Sequence, residues 1–165
     1  MNEQERKQLQ AELVGNREAL LAIASDVDEQ GLARPTRNPG WTVRDVLAHV
    51  LASDADLIAL LELAADPGTD PLQVHSFEEH EREMARWMDA TPQALAQELR
   101  ERGDRWRELL AALPRSASEI LVGASGWIDS ERKLLDVVGD WPDHYSLHAE
   151  DVRLALADGP SGPSR

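Results

Sequence analysis

The sequence contains no cysteine. That absence excludes a disulfide framework, a thiolate nucleophile, an iron–sulfur cluster and any cysteine-based zinc site, so a metal has to sit on His, Asp and Glu. Basic residues are also scarce: 17 Lys+Arg face 31 Asp+Glu, a net charge of −14. A chain this acidic is repelled by phosphate backbones and anionic lipid, which argues against a nucleic-acid or peripheral-membrane role. Apolar runs fall far short of a membrane span, and Met1–Gln10 is polar with no apolar leader core, so a cytoplasmic protein is expected. Aromatics make up only 4% of the chain, yet five of them are Trp against one Phe and one Tyr.

What is present is mostly helix. At 165 residues the chain can bury one substantial core, and a single domain is expected. Leu9, Leu13, Leu20, Ala24 and Val27 mark one face of a first helix over about Glu3–Asp28, ended by Gly31, Pro35 and an Asn38-Pro39-Gly40 turn. Thr42 with Asp45 forms a capping box, and the stripe Val43, Val46, Leu47, Val50, Leu51, Leu57, Ile58, Leu61 carries a second helix to about Ala65. Thr91 caps a third helix with Pro92 at its first position, running to Pro114. A fourth begins near Ser130 and keeps Leu134, Val137, Trp141, Tyr145, Val152 and Leu156 on one side. Pro142 interrupts it, and because the stripe keeps its phase a kinked continuation is expected rather than a restart.

The connection from Asp66 to Ala90 is far longer than a hairpin needs and holds a second capping box, Ser76 with Glu79, ahead of a short helix. Such a crossover allows helices two and three to run parallel. Arg115–Asp129 reads as a loop with a short extended stretch at Ile120-Leu121-Val122. Residues 158–165 read as a disordered tail, leaving 1–157 as the domain.

Three of the five histidines stand out. His144 and His148 are four apart, so they project from one helix face and both rings can reach one ion. A metal pair and two hydrogen-bonded core imidazoles are both compatible with that spacing. The stretch His-Tyr-Ser-Leu-His lacks the Glu that serves as base in zincin helices. His49 lies beside the apolar stripe of helix two, on a strip shared with Asp45, Ser53 and Asp56, about 10 Å along the axis. An antiparallel partner helix would bring it level with His148. His75 and His80 are five apart, fall on different faces and read as surface or loop residues.

Trp41-Thr-Val-Arg-Asp-Val-Leu-Ala-His49 resembles the Trp-Thr/Ser-x-x-Asp/Glu-x-x-x-His opening of helix two in the DinB/YfiT-like superfamily. Asp143-His-Tyr-Ser-Leu-His148-Ala-Glu-Asp is similar to that group's helix-four His-x-x-x-His. The superfamily includes the N-terminal domain of mycothiol-dependent maleylpyruvate isomerase and bacillithiol transferases. The resemblance implies an all-α four-helix bundle with up-down-down-up topology. It also implies a divalent metal, zinc or nickel, on His49, His144 and His148. The mycothiol-dependent isomerase has a further C-terminal domain contributing to its active site, and a chain ending at 165 has no room for one, so thiol specificity does not transfer.

Three neutral imidazoles leave a Zn²⁺ with an open position for water or substrate. With no cysteine in the chain, a reacting sulfur arrives on a low-molecular-weight thiol cosubstrate. The expected activity is therefore a thiol-dependent transfer or isomerisation of a small electrophile. A metal-dependent hydrolase and a non-enzymatic, metal-stabilised small-molecule-binding bundle, open to dimerisation through an exposed helix, are the alternatives. Asp45 is a candidate to orient His49, with helix capping as its competing role. Glu150 and Asp151 are candidate bases beside His148, against a solvated-face reading. Trp41, Trp141 and Tyr145 are candidate walls of a pocket over the metal, against a core or anchoring role.

Overall fold

The apolar periodicities become helices in the computed structural model, which describes residues 3–66, 68, 70–124 and 128–157. The order is α1 (Glu3–Ser25), α2 (Glu29–Leu32), α3 (Val43–Ala65), α4 (Phe77–Ala85), α5 (Pro92–Ala112), a 3₁₀ turn (Arg115–Glu119), strands β1 (Leu121–Val122) and β2 (Arg132–Lys133), α6 (Leu134–Val138) and α7 (Trp141–Ala157). The expected tail, 158–165, lies outside the described residues. Among the described residues no helix is long and apolar enough to cross a membrane.

The four long helices form the bundle: α1 packs on α5 and α7, α3 packs on the same two, and α4 lies against α3. Helix α3 buries residues on nearly every side, including Val43, Leu47, Val50, Leu51, Leu57 and Leu61, because it is covered on three sides. Its start is the expected one. Thr42 accepts from the Asp45 amide while the Asp45 carboxylate takes the Thr42 N–H at 2.8 Å. The turn before it uses Gly40 at φ +82°, a backbone conformation that disfavours side chains. The second capping box, Ser76 with Glu79, likewise starts α4, and Thr91 caps α5 with Pro92 following.

Two expected boundaries move. The first helix stops at Ser25 rather than Asp28, because the Asp28 side chain accepts the Gly31 N–H at 2.7 Å and opens the separate turn α2. The fourth helix is not a kinked continuation from Ser130. Arg132 and Lys133 are extended and pair with Leu121 and Val122, so helix begins only at Leu134. After a turn at Gly139 and Asp140 it restarts at Trp141. Placed in a first turn, Pro142 forfeits no intrahelical hydrogen bond, whereas mid-helix it would lose one and crowd the preceding turn.

One buried polar knot ties all four long helices. Arg17 of α1 is 4% exposed and pairs with Asp54 of α3 at 2.6 Å. The Arg17 guanidinium also donates to the Leu99 carbonyl of α5 and lies 5.1 Å from the Tyr145 ring centre of α7. Tyr145 donates its hydroxyl to Asp54 at 2.6 Å. Gly103 makes room for this arrangement, since a Cβ there would stand 2.7 Å from Arg17 Nε. Burial raises the Asp54 pKa, and the facing Arg17 charge opposes that rise. Removing one partner of such a pair strands the other in low dielectric. Asp54→Ala is expected to lose about 3–5 kcal/mol of unfolding free energy in urea titrations. An Arg17→Met/Asp54→Leu double variant should lose less; equal losses would show that the pair is not the source.

Candidate metal centre

The three expected ligands converge. His49 sits in the second turn of α3, and His144 and His148 in the first two turns of α7. Each offers one ring nitrogen within 4.8 Å of the other two. His49 Nε2 and His144 Nε2 are 3.0 Å apart. That is close to the edge of a tetrahedron, about 3.3 Å, set by zinc–nitrogen bonds of about 2.0–2.1 Å. Three ring nitrogens this close together, two of them at near-tetrahedral spacing, are a donor set that fits a divalent metal.

Two buried carboxylates fix the rings. Asp151, 1% exposed, accepts from His148 Nδ1 at 3.2 Å, from Asn38 Nδ2 at 3.1 Å and from Arg37 Nε. With Nδ1 protonated toward Asp151, His148 keeps the lone pair on Nε2. Asp56, 2% exposed, accepts from His80 Nδ1 and His75 Nδ1, each at 2.8 Å. His80 Nε2 in turn stands 3.1 Å from His49 Nδ1. Because Asp56 holds the His80 proton on Nδ1, His80 Nε2 accepts from His49 Nδ1, and the lone pair of His49 is left on Nε2, facing His144.

The electrostatics agree with this assignment. Burial, followed by His148 and His80, lowers the His49 pKa from 6.5 to about 3. Burial, followed by His148 and His49, lowers that of His144 to about 3. Burial lowers the His148 pKa as well, with Asp151 opposing. The imidazoles are therefore neutral at pH 7, with lone pairs available.

A cavity of about 510 Å³ opens beside the cluster, lined by Trp41, His49, Ser53, Phe77, His80, Glu81, Met84, Asp140, Trp141 and His144. The Trp41 ring stands edge-on to His49 at 5.3 Å between centres. Tyr145 is placed elsewhere: it is fully buried in the knot, its ring stacked on Trp106 at 6.4 Å. The Asp45 carboxylate binds Thr42, and Glu150 is paired with Arg153 at 2.6 Å. Asp151 is the orienting partner of His148 described above. His80, in α4 and 16% exposed on buried Asp56, corrects the surface reading, whereas His75 lies in the loop before α4 as expected, 37% exposed, while also bonded to Asp56. A readable signal existed in Asp56, two turns beyond His49 on the same strip, combined with the capping box that sets His80 in the first turns of α4.

These shifts have a definite sign in the metal-free protein. With folded values near 3 and an unfolded value near 6.5, only the unfolded chain takes up protons as pH falls below about 6.5. Stability contributed by neutral His49 and His144 is present above pH 6.5 and is lost as pH drops toward 3. The loss is on the order of 1 kcal/mol per pH unit for each ring. Urea midpoints of the chelator-treated protein between pH 7 and 5 should show this slope, and His144→Gln should make it shallower.

Residues 15–153 match the family of mycothiol maleylpyruvate isomerase N-terminal domains. The chain is also similar to the crystal structure of the mycothiol-dependent maleylpyruvate isomerase, with a TM-score of 0.78 and 18% identity. That match covers 89% of this chain and 60% of the isomerase, so the chain spans well under two thirds of that protein's length. A histidine-to-alanine mutant of the isomerase matches at 0.78 with 17% identity, over the same shares of the two chains. YfiT from Bacillus subtilis, described as a probable metal-dependent hydrolase with an unusual four-helix bundle topology, matches at 0.75 with 18% identity, over 95% of this chain and 90% of its own. No curated protein sequence matches. Sequence and fold together make this chain a member of the mycothiol maleylpyruvate isomerase N-terminal domain family, within the DinB-like superfamily.

Proposed function

We propose that His49, His144 and His148 hold one divalent metal, Zn²⁺ first and Ni²⁺ second, in an enzyme that joins a small electrophile to an external low-molecular-weight thiol. The observation that carries this reading is the meeting of three neutral imidazole nitrogens at the wall of an apolar cavity. When bound there, the ion supplies Lewis acidity that lowers the pKa of a coordinated thiol or water. The chain supplies the rest: Asp151 and the His80–Asp56 pair aim the rings, and Trp41 and Trp141 keep bulk water from the cavity floor. The absence of cysteine makes the thiol external.

A hydrolase is the second reading, and two observations favour it. The match to YfiT extends over 90% of that protein, against 60% of the isomerase. Glu81, an exposed carboxylate lining the cavity, is the group that would take a proton from water.

We also read the bundle as up-down-down-up, with 1–157 as the domain. Arg44 reaches the Ala90 carbonyl, Arg102 the Leu51 carbonyl at 2.7 Å and Arg105 Glu62 at 2.7 Å, so positions advance together along α3 and α5. Asn16 bonds the Pro142 carbonyl and Arg34 that of Leu156, which supports α1 and α7 running alike. Asp54 meets Tyr145 while Asn38 meets Asp151, the antiparallel sense for α3 and α7.

Untagged protein should carry about one equivalent of Zn²⁺ or Ni²⁺, and His148→Ala should lose most of it. A few tenths of an equivalent or less after Zn²⁺ addition would sink the metal site. His80→Ala, which touches no ion directly, is expected to weaken Zn²⁺ about 10–100-fold in chelator competition. Turnover of an electrophile only when thiol is supplied identifies the transferase. Turnover without thiol that is abolished by Glu81→Gln identifies the hydrolase.

A further inference from the structure

The walls of the cavity say what sort of molecule belongs in it. Phe77, Met84, Trp41 and Trp141 are the large apolar side chains of its lining, and the charged side chains there, Glu81 and Asp140, are both acidic. No Lys or Arg is among those residues. The lining residue Asp140 is paired with Arg132, whose guanidinium donates to it at 2.6 and 3.3 Å and to the Asp136 carbonyl at 3.0 Å. The protein as a whole carries a charge of −14, which adds a repulsive background for anions. Phe77, at the first position of α4, lines the cavity and is 63% exposed. At about 510 Å³ the cavity is of the size that takes a bicyclic or small drug-like molecule.

We propose that the cavity binds an uncharged, largely apolar small molecule of aromatic size and excludes dicarboxylates. This rests on the reading of the triad as a metal site only in assigning the molecule as the electrophilic substrate; the charge preference follows from the walls alone. The molecule lies between the indoles of Trp41 and Trp141 and the α4 side chains Phe77 and Met84. In the metal-free cavity a dianion such as maleylpyruvate meets Glu81 and finds no Lys or Arg among the lining side chains to pair with. The cavity thus departs in charge from the substrate in the matched isomerase's name.

Three probes of one shape and different charge separate the cases: 1-naphthylmethanol, 1-naphthylmethylamine and 1-naphthoate, with maleate as the small dicarboxylate. Affinities are measured by ligand-observed NMR on the full chain, metal-free and Zn²⁺-loaded. In the metal-free form the neutral probe is expected to bind about tenfold more tightly than 1-naphthoate, and maleate not measurably, since one unscreened like charge at the rim is worth about that factor. Glu81→Lys should narrow the gap about threefold or more by removing that charge. Phe77→Ala, at an exposed position that leaves the core intact, should weaken the neutral probe about threefold or more. The proposal is overturned if 1-naphthoate equals or exceeds 1-naphthylmethanol in the metal-free form. It is equally overturned if the neutral probe fails to bind, or binds unaffected by Phe77→Ala. Failure of the metal reading shows separately, as absent Zn²⁺ uptake with the probe ranking unchanged.

Discussion

The convergence of the three histidines depends on an ion pair that does not touch them. Arg17, Asp54 and Tyr145 draw one residue from each of three helices, with the Leu99 carbonyl as the fourth, into a single buried knot. Tyr145 is the neighbour of His144, and Asp54 lies five residues beyond His49. Fixing Tyr145 on Asp54 therefore sets the sliding position of α7 against α3, and with it the level at which the three imidazoles meet. An apolar core of Leu and Val tolerates small slips between helices; a hydrogen-bonded charge does not, because any slip leaves a buried group unpaired.

The acidic character of the chain acquires a local meaning around the histidines. Two carboxylates, Asp56 and Asp151, are almost completely buried, yet each is surrounded by donors: two imidazoles in one case, an imidazole, an amide and a guanidinium in the other. Both spend their charge on proton placement rather than on solvent. The result is a site whose lone pairs are pointed before any ligand arrives, the preorganisation on which metal affinity depends.

The legible part of the chain was that in which one residue decides one local event. Thr42 with Asp45 and Ser76 with Glu79 start helices by closing a short hydrogen-bonded ring, and both are visible as spacing alone. The i, i+4 pair His144 and His148 is likewise a property of a single helix. Pro142 was harder, because the phase of an apolar stripe records which side faces the core and carries no information on whether the N–H ladder is continuous. His80 was missed for a related reason. Compared only with His75, it falls on a different face of its own segment; its partners, Asp56 and His49, lie on another helix, and only the crossover brings them within reach. Tyr145 follows the same logic, since its hydroxyl is claimed by Asp54 across the bundle rather than by the cavity beside it.

Gly103 sits far from the cluster in sequence and on a helix that contributes no ligand. Its missing Cβ is the space into which Arg17 folds. A Cβ at that point would stand 2.7 Å from Arg17 Nε, so the side chain that holds Asp54 would have to shift, and mutational tolerance at position 103 is a gauge of how closely α1 and α5 must be indexed.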